Sequence, residues 1–170
     1  SSILAGLIIY SFLQLKNSRK MNLSMEFTHF GIAIMILGIG LVSSLESQKE
    51  LIAFKEKPFE LENYKITYLG EEKNVAQNFS SDEVSFRVEN LNQEFNLIAE
   101  KRYYPVSKSI MTEAAIFPSI KEDLYISIGD QVEEGWVVKA QLKPFVRLIW
   151  LGALIMTFGG LLSLFRFKSS

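Results

Sequence analysis

The chain has no cysteine and only one histidine in 170 residues. Without cysteine there is no disulfide scaffold, no CxxC pair and no thiolate zinc module. With His29 alone there is no HExxH helix and no Cys–His pair, and a Ser-His-Asp triad would need a histidine that sits in an apolar run, away from the acids. The glycine-rich stretches also lie inside apolar runs, so a phosphate-cradling loop is missing. An excess of either charge is missing too: 18 Lys+Arg stand against 19 Asp+Glu, a net charge of −1. A nucleic-acid partner, which calls for one strongly basic face, is excluded.

The neutrality conceals a segregation. Eighteen of the 19 acidic residues lie between Leu45 and Pro144, together with 12 basic residues, a net of −6. Outside that window Lys16, Arg19, Lys20, Arg147, Arg166 and Lys168 face only Glu26, a net of +5. The two parts belong to different environments, which a plain soluble globule does not provide.

The poorly charged parts are long and apolar. Ile3 to Leu15 and Phe27 to Ser44 carry no formal charge, and Phe145 to Phe165 carries only Arg147. At 1.5 Å per residue the third run covers roughly 31 Å, the thickness of a hydrocarbon core. The second reaches that length from Ser24. The first is short and starts at Ser1, so a truncated helix is expected. A signal peptide would carry its basic residues before the apolar run, and here they follow it. The positive-inside rule puts the basic loops in the cytoplasm and the acidic window on the periplasmic or exterior face.

The expected architecture is therefore three transmembrane helices with an inserted extracytoplasmic β-sandwich or barrel-like domain. Residues 1–15 form the truncated helix, 16–24 a cytoplasmic basic loop and 25–44 a transmembrane helix with His29. Residues 45–144 form the β domain, 145–165 the last helix and 166–170 a cytoplasmic tail. Ser24 is positioned to cap the second helix, and Glu26 suits the positive end of its dipole. Pro144 precedes the third helix, where Arg147 can snorkel and Trp150 suits the interface. Gly31 and Gly38 share one helical face, as do Gly152 and Gly159, and such faces let backbones approach closely.

Within the window, Tyr64 to Leu69, Val84-Ser85-Phe86-Arg87-Val88 and Phe95 to Ala99 read as strands. Leu124 to Ile128 and Trp136 to Leu142 flank Gly129-Asp130 and Gly135, a hairpin with a longer loop. Six to nine strands are expected, with Asn74 to Asp82 as a loop.

His29 stands out as an ionisable group in an apolar helix, which is functional by default. Its lone pair suits a metal, haem iron above all, since imidazole is a common axial ligand. Ala33, Ile36 and Gly40 share its face and leave room for a flat macrocycle. The alternative is a histidine bonded to a neighbouring helix. A second dense patch is Glu100-Lys101-Arg102-Tyr103-Tyr104-Pro105, followed by Met111 to Ile116. It reads as a docking surface in which Lys101 and Arg102, with Tyr104 and Glu113, meet carboxylates of a partner or of haem propionates. Arg147 is a further propionate candidate. The alternative is a solvated strand end stopped by Pro105.

At these positions the chain resembles a known family. Glu100 to Pro105 with Met111-Thr112-Glu113-Ala114-Ala115-Ile116 closely resembles the "EKR-x-YP … MTEAAI" signature of the Ccm-type cytochrome c haem lyases, the CcmF/NrfE family. Lys143-Pro144-Phe145-Val146-Arg147-Leu148-Ile149-Trp150-Leu151-Gly152, running on to Gly159-Gly160, is similar to its "KPFVRWIWLG … GG" helix. Thr28-His29-Phe30-Gly31 is similar to its "AHLG" helix.

The resemblance implies the C-terminal part of a polytopic protein of the bacterial inner membrane, or its organellar equivalent, working in a haem lyase (synthetase) complex. Such a protein takes haem from a periplasmic haem chaperone. It helps attach the haem to the CxxCH thiols of apocytochrome c, alongside thioreduction and presentation subunits. The resemblance makes His29 one axial ligand of a transmembrane b-type haem (haem b), with the second ligand from outside this chain. The family's tryptophan-rich "WWD" segment and its other ligand histidines are absent here. The rival reading is a cofactor-free, membrane-anchored β domain acting as a docking or assembly subunit.

Overall fold

The computed structural model describes residues 23–91 and 93–167. The expected first helix, nearly all of the basic loop and the end of the tail lie outside the described residues. Two compact units divide at residues 45/46 and 143/144.

The first unit contains α1 (Leu23–Leu45) and α2 (Val146–Phe167). Both are long and apolar enough to cross a membrane. They pack on each other along their glycines, of which Gly31 and Gly38 are buried. A Cβ on Gly31 would lie 2.6 Å from the Met156 nitrogen and 2.7 Å from the Gly152 oxygen. A Cβ on Gly152 would lie 2.6 Å from the Gly31 oxygen, and one on Gly159 2.5 Å from Thr28 Oγ1. The two backbones are thus in direct contact, as small residues permit in an apolar medium. Phe27 meets Phe158 edge-on at 5.3 Å. Ser24 does not cap α1. Its hydroxyl donates across the pair to the Gly159 carbonyl at 2.7 Å, because that carbonyl approaches over a residue without a side chain. The outward faces are covered by exposed apolar groups such as Ile36, Ile39, Leu154 and Leu161.

The second unit is a β-sandwich with nine strands among the described residues: β1 Ser47–Phe54, β2 Pro58–Leu61, β3 Tyr64–Val75, β4 Ser80–Glu89, β5 Glu94–Tyr104, β6 Ser109–Glu113, β7 Ala115–Phe117, β8 Glu122–Val132 and β9 Gly135–Pro144. One sheet has the order β1-β9-β8-β7, the other β2-β3-β4-β5-β6. Alternation along the strands builds the core between the sheets. Val84, Phe86 and Val88 from β4 meet Leu124 and Ile126 from β8 and Val138 from β9, all fully buried. Only Ala114 separates β6 from β7, so the chain switches sheets there almost without a loop.

Two local expectations are corrected. Residues 74–82 are not a loop: β3 and β4 continue as a paired ribbon, Lys73 opposite Asp82 and Asn74 opposite Ser81, closed by a turn at 76–79. Cross-strand polar pairs support it, with Asn74 donating to Glu83 at 2.8 Å. The β8–β9 loop is not long either. It is the two residues Glu133-Glu134, with Glu133 in the left-handed region at φ 51°.

Candidate functional site

His29 lies on α1 with its side chain exposed. Its Nδ1 is 2.7 Å from the Met25 carbonyl oxygen. A carbonyl only accepts, so Nδ1 carries the proton and donates. The other ring nitrogen, Nε2, is left with its lone pair. Metal-bound imidazoles are held in this manner, one nitrogen fixed by a backbone carbonyl and the other presented to the metal. Thr28, Gly31 and Gly38 face α2. At 100° per residue His29, Ala33, Ile36 and Gly40 fall on the far side of α1. A Cβ added to Gly40 would meet nothing within 4 Å. The histidine therefore looks away from α2, along a strip on which Ala33 and Gly40 are small and Ile36 projects outward. Among the described residues, no group of three or more histidine or carboxylate side chains is placed to hold a metal ion.

The dense patch on β5 divides between two surfaces, because successive strand residues point to opposite faces. Lys101 turns inward at the end of the sandwich. It donates to the Gly129 carbonyl at 3.1 Å and to Asp130 at 2.5 Å, tying β5 to β8. The hydrogen bond and charge of Lys101 hold the Asp130 carboxyl below the usual carboxylate range. Arg102 turns outward. Its Nε donates to Glu100 at 2.8 Å and its Nη1 to Glu113 at 3.3 Å, on neighbouring β6. Its guanidinium lies 4.9 Å over the Phe79 ring, which in turn is 5.6 Å from Tyr104. These bonds, Glu100 first, hold the guanidinium proton more firmly than usual. The structure thus brings together Arg102, Tyr104 and Glu113, sets Lys101 on the other face, and leaves Arg147 in the helical unit. The two cations already have anionic partners within the domain.

A third cluster was not signalled by any motif. Glu71 on β3 accepts from the Trp136 indole N–H and from Gln131 Nε2 at 3.0 Å. It also accepts from the Tyr68 hydroxyl at 3.4 Å. Trp136 is buried. Glu71 therefore joins the two sheets through residues 60 and 65 positions away. Burial first, and the Glu71 charge second, push the Tyr68 phenol above its ordinary pKa.

The fold defines a class: a β-sandwich inserted between two apolar helices packed through glycine, one of them bearing a lone, outward-facing histidine. Residues 44–144 match the family described as "CcmF C-terminal beta-sandwich". The chain belongs to the CcmF family. It is 38% identical over 141 residues to the cytochrome c-type biogenesis protein CcmF of Pseudomonas aeruginosa, covering 82% of this chain and 22% of that one. It is 36% identical over 143 residues to the CcmF of Escherichia coli, covering 83% and 22%. NrfE of Haemophilus influenzae, also named a cytochrome c-type biogenesis protein, is 28% identical over 158 residues, covering 90% and 25%. A solved structure titled "Cytochrome c Heme Lyase CcmF" shares the fold, with a TM-score of 0.70 and 15% identity over 81% of this chain and 23% of that one. The chain spans about a fifth of the length of the curated relatives it matches.

Proposed function

We propose that the chain acts as the C-terminal portion of a cytochrome c haem lyase, with His29 as one axial ligand of a transmembrane b-type haem. The observation that carries this reading is the orientation of His29: Nδ1 donates to Met25 O at 2.7 Å and Nε2 faces outward. A bound haem would supply an iron centre that accepts this nitrogen and passes single electrons. The residues present fit one side of such a group. The Met25 carbonyl fixes the tautomer, and Ala33 and Gly40 keep the strip shallow. Because the strip looks away from α2, the second ligand comes from a segment outside the pair. Both helices span the inner membrane in this reading, with residues 46–143 on the periplasmic side. There the sandwich serves the haem chaperone, apocytochrome c and the thioreduction and presentation subunits. Lys101 and Arg102 contribute by holding the sandwich in shape, Lys101 between β5 and β8 and Arg102 along the β5–β6 edge, since both are committed to internal carboxylates.

The test is to co-express the chain with the helices that precede it in its relatives and to record reduced spectra of wild type and His29→Ala. Loss of the b-type bands in the variant supports the reading. An unchanged spectrum sinks the ligand assignment and favours the rival, a cofactor-free docking domain.

A further inference from the structure

The sandwich has two ends. Ser47, at the start of β1, is registered against Leu142, near the end of β9. The chain therefore enters from α1 and leaves to α2 at the same end. Ser47 Oγ donates to Glu62 at 2.9 Å, which puts the β2–β3 turn there as well. The turn joining β4 to β5 and the loop joining β7 to β8 complete this end. Tyr64, Asn90, Leu91, Ser119, Ile120 and Glu122 line one open cavity of about 540 Å³ between them.

Two side chains at this rim are aliphatic and almost fully exposed. Leu91 is 93% exposed and Ile120 is 89% exposed. Single exposed aliphatics are ordinary on protein surfaces. Here two of the most exposed in the described residues sit on separate loops at the end where both apolar helices join. Lys121 follows Ile120, so an ammonium group lies beside one of them. An aliphatic tip flanked by lysine suits the boundary of a bilayer, where the tip enters the acyl region and the amine stays with phosphate head groups.

We infer that Leu91 and Ile120 are interfacial anchors that dip into the outer surface of the membrane. This rests on the membrane-spanning reading above. It is independent of haem, because neither residue belongs to the His29 strip. Val75 and Val106 are exposed to 80% and 95% at the opposite end and serve as internal controls. The β3–β4 and β5–β6 turns put that end a full strand length away.

Because the chain has no cysteine, single spin labels can be placed without background. Leu91→Cys, Ile120→Cys, Val106→Cys and Leu154→Cys are labelled in the full chain, reconstituted in vesicles of phosphatidylethanolamine and phosphatidylglycerol. Accessibility to lipid-soluble oxygen is compared with accessibility to a water-soluble nickel chelate. The expected result is an oxygen-to-nickel ratio several-fold higher at 91 and 120 than at 106, approaching that at 154. Ratios at 91 and 120 equal to that at 106, with 154 still lipid-exposed, would overturn the anchor and leave the span intact. A water-exposed label at 154 would overturn the spanning reading and the anchor with it.

Discussion

A methyl group added at Gly31 tests how the two helices are held together. Ordinary contact for a Cβ begins at 3.4 Å, and here the Met156 nitrogen waits at 2.6 Å and the Gly152 oxygen at 2.7 Å. Both are backbone atoms, so no side chain can swing aside. The helices must part by about 0.8 Å, and a gap of that size forfeits about a quarter to a half of each dispersion contact along the seam. Overpacking of this kind costs about 1–3 kcal/mol. Gly40→Ala and Gly160→Ala are the matched controls, because nothing lies within 4 Å of either new Cβ. Any change in helix propensity, up to about 1 kcal/mol in favour of alanine, is common to all three and cancels. Gly152→Ala meets the same seam from the other side, so the double variant should cost less than the sum of the singles. The assay is resonance energy transfer between dyes on cysteines replacing the exposed Leu23 and Leu164, followed as SDS separates the helices in mixed micelles. Gly31→Ala should come apart at distinctly lower SDS than Gly40→Ala. Coincident curves for the two would refute the close-packed seam.

Two further predictions concern the sandwich. The Asp130 pKa is depressed in the fold by Lys101, so the pair stabilises above the unfolded carboxylate value of about 3.9 and the effect fades as pH falls through the lower folded value. Asp130→Asn should lower stability slightly at neutral pH and flatten its loss below about pH 4 in thermal melts, leaving the slope of the neutral-to-alkaline limb unchanged. Glu71→Ala leaves the buried Trp136 N–H without its partner, at a cost of about 1–3 kcal/mol. Urea unfolding followed by tryptophan fluorescence measures it, and a midpoint equal to wild type would remove Glu71 from the inter-sheet bond.

The apolar runs, the glycine pairs and the alternation of Val84, Phe86 and Val88 were legible because each is a repeat of one physical period along the chain. The turns were less so. Glu62 and Glu133 both adopt φ 51°, a conformation usually signalled by glycine or asparagine, and glutamate gives no such signal. The ribbon at 73–82 was hidden by its polarity, since its support comes from cross-strand pairs rather than from a buried face. The division of Lys101 from Arg102 follows from strand alternation alone and was within reach of the sequence. The distant pairings were not: Asp130 is 29 residues from its partner Lys101, and Trp136 is 65 from Glu71. The candidate ligand was visible as a solitary histidine in an apolar helix. Its tautomer depended on the Met25 carbonyl one turn earlier, which only the fold reveals.

Everything proposed for haem turns on the His29 imidazole itself binding the iron. Replacing His29 by glycine leaves a space the size of the ring, which free imidazole can enter. With the preceding helices present, His29→Gly should lose the b-type Soret and α bands and regain them when imidazole is added. Full wild-type bands in His29→Gly without imidazole would show that the iron is held by other groups.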